Sequence, residues 1–292
     1  MAIDETTVGH EDDGEHGDGV TARSADASGR GVVTAFGQSM KALRRRTGME
    51  REEFGRRLGY APSTIASFEQ GRRIPSPRTI DRADELLGAD GLLTVWKEQV
   101  ERAQYPVFFQ GMAELEKECI ELLMYDTHVV NGLLQTEEYM RALLAMRRPN
   151  LDPETVDQRV SARLNRRIIF DRRPAPLLSF VMDEAVLRHR YGGSGVLHRQ
   201  LEHLLLVGRK PNVEIQVMPL DCEDNAGVNG PFTVVTRKDG KKFVYCETHA
   251  SSTLETDPAQ TALAAARYGI IRSQALSPRE SLDFIEGLLG SP

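Results

Sequence analysis

The chain is short of cysteine and of long apolar runs, and each shortage closes off a class of protein. Its three cysteines (Cys119, Cys222, Cys246) are odd in number, far apart and without a Cys-x-x-Cys pair. A reducing compartment is therefore expected, with neither a disulfide framework nor a zinc site. No stretch approaches the roughly eighteen apolar residues of a spanning helix. The N-terminus is acidic where a secretory signal is basic and then apolar, so neither export nor a membrane anchor is expected. Gly192-Gly193-Ser194-Gly195 lacks the Lys-Ser/Thr of a phosphate loop and the Gly-x-Ser-x-Gly order of a nucleophile elbow, and it reads as a loop. His189, His198 and His203 lack metal-ligand spacing and read as surface or helix-face histidines. Asp183-Glu184 could be a carboxylate pair, but capping of a following helix explains it more simply. With no catalytic, cofactor or metal constellation, neither an enzyme nor a cofactor or metal is expected.

What is present is an uneven distribution of charge. The net charge of -6 over 292 residues argues against a polyanion partner only as an average. Residues 1 to 30 hold eight acidic and two basic side chains, which accounts for all of it. This stretch is poor in large apolar residues and reads as a disordered acidic tail. Such a tail can compete with nucleic acid for a basic module, although solvated filler is the simpler reading. Residues 37 to 79 carry ten basic side chains and four acidic ones, a footprint suited to a polyanion.

The length suits two folded units. From Phe36 to about Val100, apolar residues recur at helical spacing between tight breaks: Phe36, Met40 and Leu43 before Gly48; Phe54 and Leu58 before Gly59; Ile65 and Phe68 between Pro62 and Gly71. Pro75 and Pro77 precede a fourth helix with Ile80, Ala83 and Leu87, and Leu92, Trp96 and Val100 mark a fifth. An all-α five-helix domain is expected over 31–104. Beyond Pro106, helices are predicted over 108–125 and 136–147 and after Asp152-Pro153. Strands are predicted at 176–182, 213–217, 232–236 and 243–246, the last two joined by a hairpin at Asp239-Gly240. Two closing helices open at Asp257-Pro258-Ala259-Gln260 and Ser277-Pro278-Arg279-Glu280, each with a capping box. The second domain, 107–292, is thus expected to be α+β with a mainly antiparallel sheet.

Two short helices about a turn at Gly59–Ala61, with a basic surface, satisfy a helix-turn-helix. The run Leu43-Arg44, Gly48-Met49-Glu50-Arg51-Glu52-Glu53-Phe54-Gly55, Leu58-Gly59, Ser63-Thr64-Ile65 and Phe68-Glu69-Gln70-Gly71-Arg72-Arg73-Ile74-Pro75 resembles the Xre/Cro-type DNA-binding domain of phage-repressor-like regulators. The resemblance implies a recognition helix over 62–70, with Pro62, Ser63, Thr64 and Ser67 facing base edges of double-stranded DNA. It implies Arg51, Arg72 and Arg73 on phosphates, and a structural ion pair between Arg44 and Glu69. Glu50 replaces the family's usual capping residue. Gly55 replaces a usual alanine, fitting sterically at about 1 kcal/mol of helix propensity.

Residues 107 to 288 resemble the C-terminal domain of WhiJ-type, toxin-antitoxin-like actinomycete regulators. The resemblance rests on Asn131-Gly132-Leu133-Leu134-Gln135-Thr136-Glu137-Glu138-Tyr139, Arg159 to Arg167, Asp183-Glu184-Ala185-Val186-Leu187-Arg188, Pro211-Asn212-Val213, Val217-Met218-Pro219-Leu220, Tyr245-Cys246-Glu247 and Ala275-Leu276-Ser277-Pro278. Asn131 stands where the family often has proline, which is expected to loosen that turn. Gly132 to Thr136 reads as a turn, an apolar plug and a helix cap, for packing or for binding. The family implies a small partner protein encoded nearby. The expectation is a cytoplasmic, homodimeric, sequence-specific transcriptional regulator whose second domain binds that partner. The alternatives are an antitoxin-like protein that mainly sequesters the partner, and a regulator with a small-molecule pocket.

Overall fold

The structure is a computed structural model and describes residues 22–103, 105, 107–248 and 252–290. Residues 1 to 21 of the expected acidic tail lie outside the described residues, and the first helix begins at Ala22, within the last part of the 1–30 stretch.

The N-terminal unit is all helical: α1 (Ala22–Arg46), α2 (Arg51–Leu58), α3 (Pro62–Glu69), α4 (Pro77–Leu87), and a 3-10 turn (Thr94–Trp96) running into α5 (Lys97–Ala103). Its core is largely the set that helical spacing selects: Phe36, Met40, Phe54, Ile65, Phe68, Ile80 and Leu87 are all buried. The expected Leu92 is corrected to Leu93, because Leu92 is exposed in the turn before Thr94 while Leu93 enters the core. Asp84, which the apolar pattern does not reveal, ties the last connection down. Its carboxylate accepts from the backbone N–H groups of Gly91, Leu93 and Thr94 at 2.8, 2.8 and 3.1 Å. Burial alone would raise Asp84, but these donors hold it below the ordinary carboxylate range.

The second unit runs α6 (Val107–Glu118), β1 (Cys119–Asp126), α7 (Glu137–Ala145), α8 (Pro153–Arg166), β2 (Leu177–Asp183), α9 (Glu184–Arg188), α10 (Ser194–Val207), β3 (Val213–Met218), β4 (Phe232–Arg237), β5 (Lys242–Glu247), β6 (Ser252–Glu255), α11 (Pro258–Gln274) and α12 (Pro278–Leu289). The sheet has six strands in the order β3-β2-β1-β4-β5-β6. It is mixed rather than mainly antiparallel: β1–β2 and β2–β3 are parallel, and the other three pairings are antiparallel. The α+β expectation is corrected on this point because β2 and β3 are reached by helical crossovers, which a parallel pair requires.

The helix predicted over 108–125 ends at Glu118, and Cys119 onward is β1. Leu122 and Met124 enter the core on one face of the sheet, and Leu123 and Tyr125 pack on the other. A strand covered on both sides loses its apolar–polar alternation and reads as helix continuation. β2 shows the same sandwiching: Leu178, Phe180 and Met182 join the larger core, while Val181 packs with α11 through Tyr268 and Ile271. The β4–β5 hairpin closes at Gly240, whose φ of +80 supplies the left-handed position of a three-residue loop.

Ser277 forms the complete capping box with Glu280, but Asp257 forms only half of one. It accepts from the Gln260 N–H at 3.0 Å while its own N–H donates to Glu255. Asp183 makes no capping bond to α9. It accepts instead from the Tyr125 hydroxyl at 2.7 Å, so capping does not explain this acid. Gly192 and Gly193 form the expected loop with φ of +78 and +98, whereas Ser194 and Gly195 already belong to α10.

Candidate nucleic-acid interface

The turn between α2 and α3 is set by local chemistry. Gly59 ends α2 in the left-handed region with φ of 81, and Ala61 is extended before Pro62 opens α3. The Tyr60 N–H donates to the Gly55 carbonyl at 2.8 Å, drawing the two backbones together. A Cβ at Gly55 would stand 2.5 Å from the Tyr60 carbonyl oxygen. Gly55 is therefore required by contact with the turn, which corrects the reading of it as a tolerated replacement for alanine. Gly37 is required on the same ground, since a Cβ there would overlap the backbone carbonyls of Phe68 and Glu69. Glu50 makes no side-chain capping bond.

Ile65 and Phe68 anchor α3 in the core, and Tyr60 packs edge-on to Phe68 with ring centres 5.4 Å apart. Glu69 points inward as well. Its fully buried carboxylate accepts from Arg44 Nε at 2.5 Å and from Arg51 Nε at 2.8 Å. Arg44 also donates to the Met49 carbonyl at 2.6 Å. Burial alone would raise Glu69, but the two guanidinium groups outweigh it and hold the carboxyl below its usual range. The structure thus brings Arg44 and Glu69 together and adds a third member that the pair reading missed. Arg51 spends its Nε on Glu69 while 38% of its side chain stays exposed.

With that side of α3 buried, Pro62 and Ser63 are exposed and Thr64 and Ser67 are half-buried on the outward side. Arg72 and Arg73 follow in exposed positions just past the helix. The outward side does not face open solvent. Ser63, Thr64, Ser67 and Arg73 line a cleft of about 1020 Å³ whose far wall is α8, with Glu154, Asp157 and Gln158 turned toward it. Arg72 Nη1 lies 3.5 Å from Glu154 Oε1 across this gap. Glu154 of α8 therefore stands against Arg72 at the edge of α3.

In the second unit, Leu133 and Leu134 are fully buried and Thr136 caps α7 by accepting from the Tyr139 N–H at 3.3 Å. Asn131 tightens its turn rather than loosening it. Its amide donates to both Asp126 oxygens at 3.2 and 3.1 Å, and its own oxygen accepts from the Leu133 N–H at 3.0 Å. Proline could make none of these bonds through a side chain. His189 stacks on Tyr191 with ring centres 5.2 Å apart, and His198 lies beside Glu202 on α10. No helix among the described residues is long and apolar enough to cross a membrane.

Comparison with known families divides the chain where the geometry does. A helix-turn-helix domain matches residues 35–95, which supports a DNA-binding regulator. A domain of unknown function, DUF5753, matches residues 109–287. No curated protein and no solved structure matches the chain. Because the second match spans more than half of the 292 residues, the protein belongs to the DUF5753 family, with a helix-turn-helix domain preceding the shared domain.

Proposed function

We propose that the protein is a sequence-specific transcriptional regulator of the Xre type. In this reading it acts in the cytoplasm as a homodimer, and its WhiJ-like C-terminal domain binds a small partner protein; its task is binding and not catalysis. One observation carries the DNA reading: the buried Arg44–Glu69–Arg51 cluster fixes α3 so that Pro62, Ser63, Thr64 and Ser67 lie on its outward side between arginines. Hydroxyls read bases by donating or accepting, and Arg72 and Arg73 supply phosphate contacts that set position without sequence. A single helix-turn-helix covers too few base pairs for useful specificity, which supports two copies on half-sites about one helical turn apart. Exposed Leu263 and Ile270 on α11 and Leu254 on the edge strand β6 offer apolar surface for a second copy or a partner.

A duplex displaces far more than the cleft holds, so DNA binding requires α8 to move away from α3. This supports a second unit that controls access, whether a partner or a small molecule acts on it. An antitoxin-like reading uses the same parts with sequestration as the main task.

The test is selection from randomised duplexes with the full chain. Wild type is expected to enrich paired half-sites, Ser63→Ala and Ser67→Ala to change preference at one or two positions, and Arg73→Ala to weaken all sequences alike and flatten the salt dependence by about one charge. Identical enriched motifs for wild type and both serine variants would refute the recognition face.

A further inference from the structure

The second unit holds a pocket of about 350 Å³ at the carboxyl end of β1. β1 is the strand where the sheet changes from a parallel neighbour, β2, to an antiparallel one, β4. Neighbouring connections diverge at such a switch and leave a crevice, the usual place for a ligand in open sheets. The apolar wall comes from Phe109, Met112, Met124, Phe232 and Tyr245. These residues come from four elements and were not associated by any sequence motif.

The polar wall comes from one side of α8. Arg159, Arg163 and Arg166 recur at helical spacing and all line the pocket, with Arg147 at an exposed position beside them. Arg166 is neutralised: it donates to both Glu116 oxygens at 2.7 and 2.6 Å and lies 4.3 Å over the Phe109 ring. Arg163 is not. Among the described residues its one hydrogen bond goes from Nη1 to the neutral Gln135 amide oxygen at 2.9 Å, and no carboxylate lies within ion-pair distance of it. Burial and then the nearby charges of Arg166, Arg147 and Arg159 hold its pKa down at about 10, with Glu247 opposing them. A guanidinium in that setting is an anion site in waiting, because a bidentate partner would restore what burial removes.

We propose that this pocket binds a small monoanion with a flat apolar body, of the aromatic carboxylate class, held by the forked donors of Arg163 against the apolar wall. The geometry selects a monoanion: Arg166 is already spent on Glu116, and Arg163 presents a single guanidinium fork for a single carboxylate. The lining also makes the site a control point, an extension that rests on the regulator reading whereas the binding does not. α8 presents Glu154 and Asp157 to the recognition helix and Arg159 and Arg163 to the pocket, so an occupant that shifts α8 changes the cleft over α3.

The experiment is calorimetric titration of the full chain with sodium 1-naphthoate and with the neutral isostere 1-naphthamide. Naphthoate is expected to bind at least about tenfold tighter than the amide, the worth of a charge-assisted hydrogen bond. Arg163→Met is expected to remove that preference and leave the amide unaffected. Should that variant misfold by circular dichroism, Arg147→Ala, an exposed change, is expected to weaken naphthoate about threefold without altering amide binding. Absence of naphthoate binding at millimolar concentration, equal affinity for the amide, or a preference that survives loss of these arginines would overturn the proposal. DNA retardation measured on the same samples separates the two readings. Naphthoate binding by a protein that retards no duplex would retain the pocket and refute the regulator, and DNA binding without naphthoate binding would do the reverse.

Discussion

Replacing Glu69 by alanine should remove most of the stability of the helix-turn-helix unit. The Glu69 side chain is 0% exposed and that of Arg44 only 6%, so the substitution leaves a buried guanidinium facing a small void. Arg51, at 38% exposure, can turn to water. The loss is therefore set by Arg44, and stranding one member of a buried pair costs about 3 to 5 kcal/mol. A unit of this size is stable by only about 3 to 10 kcal/mol. At a urea slope near 1 to 1.5 kcal/mol/M, the midpoint should fall by roughly 2 M or more. Trp96 is the only tryptophan, and it packs against the helical core, so its fluorescence reports this unit alone. The double variant Arg44→Met with Glu69→Leu should recover all but about 1 kcal/mol, since apolar replacement of a buried pair is often neutral. The acid limb gives a second readout. The Glu69 carboxyl is held below its ordinary value of 4.5, so its contribution is fully present above that pH and is lost as pH falls through the lowered folded value. Glu69→Gln should lack this acid-dependent component. A Glu69→Ala loss below about 1 kcal/mol, in a transition that Trp96 reports as two-state, would refute the account of how α3 is held.

Three further outcomes follow from the geometry. Gly37→Ala and Gly55→Ala should each destabilise the N-terminal unit by about 1 to 3 kcal/mol by overpacking, although helix propensity alone predicts a gain near 1 kcal/mol; Trp96-detected melting decides the sign. Glu154→Gln combined with Asp157→Asn should tighten DNA binding about two- to fivefold in fluorescence anisotropy, the scale of an exposed ion pair, and an unchanged affinity would mean that α8 does not compete for the recognition face. Burial pushes Asp126 up to about 7 against the Asn131 amide that lowers it. A raised folded pKa means that protons favour the folded state, so stability should decline from about pH 4 to pH 7, by on the order of 2 to 4 kcal/mol, and Asp126→Asn should flatten that slope in urea titrations at successive pH values.

The parts of the fold that were legible in the sequence are those whose signals are local. Gly48, Gly59 and Gly71 end turns, Pro62 and Pro77 start helices, and the apolar positions between them fall on one face, so the helices around the turn are readable; the fifth is offset, since Leu92 is exposed and Leu93 takes the core position. Ile65 and Phe68 bury one side of α3, and Ser63, Thr64 and Ser67 on the other side are positions that the resemblance implies. β1 was hidden because both of its faces are covered, and β6 because Thr253, Leu254 and Glu255 are all exposed, so neither shows an alternating pattern. The departure from proline at Asn131 does not reveal a tight turn, because the tightening comes from its side chain, which donates to Asp126 and accepts from the Leu133 N–H.

What no local signal could reveal is the double use of α8. Its Pro153–Arg166 sequence reads as an ordinary amphipathic helix capped by Asp152, with acids early and arginines late as the helix dipole favours. Only the tertiary placement shows that Glu154 and Asp157 stand against α3 while Arg159 and Arg163 stand over the end of β1. Helical periodicity permits this division, since positions separated by three or four residues share a face and those separated by two do not. A rigid helix with a different occupant on each side is a physical link between them: it cannot tilt toward one without leaving the other. The same link works in reverse, because a duplex that draws α3 away from Glu154 also releases α8 over the pocket. Any ligand that weakens DNA binding through α8 must therefore be bound more weakly by the DNA complex, by the same factor.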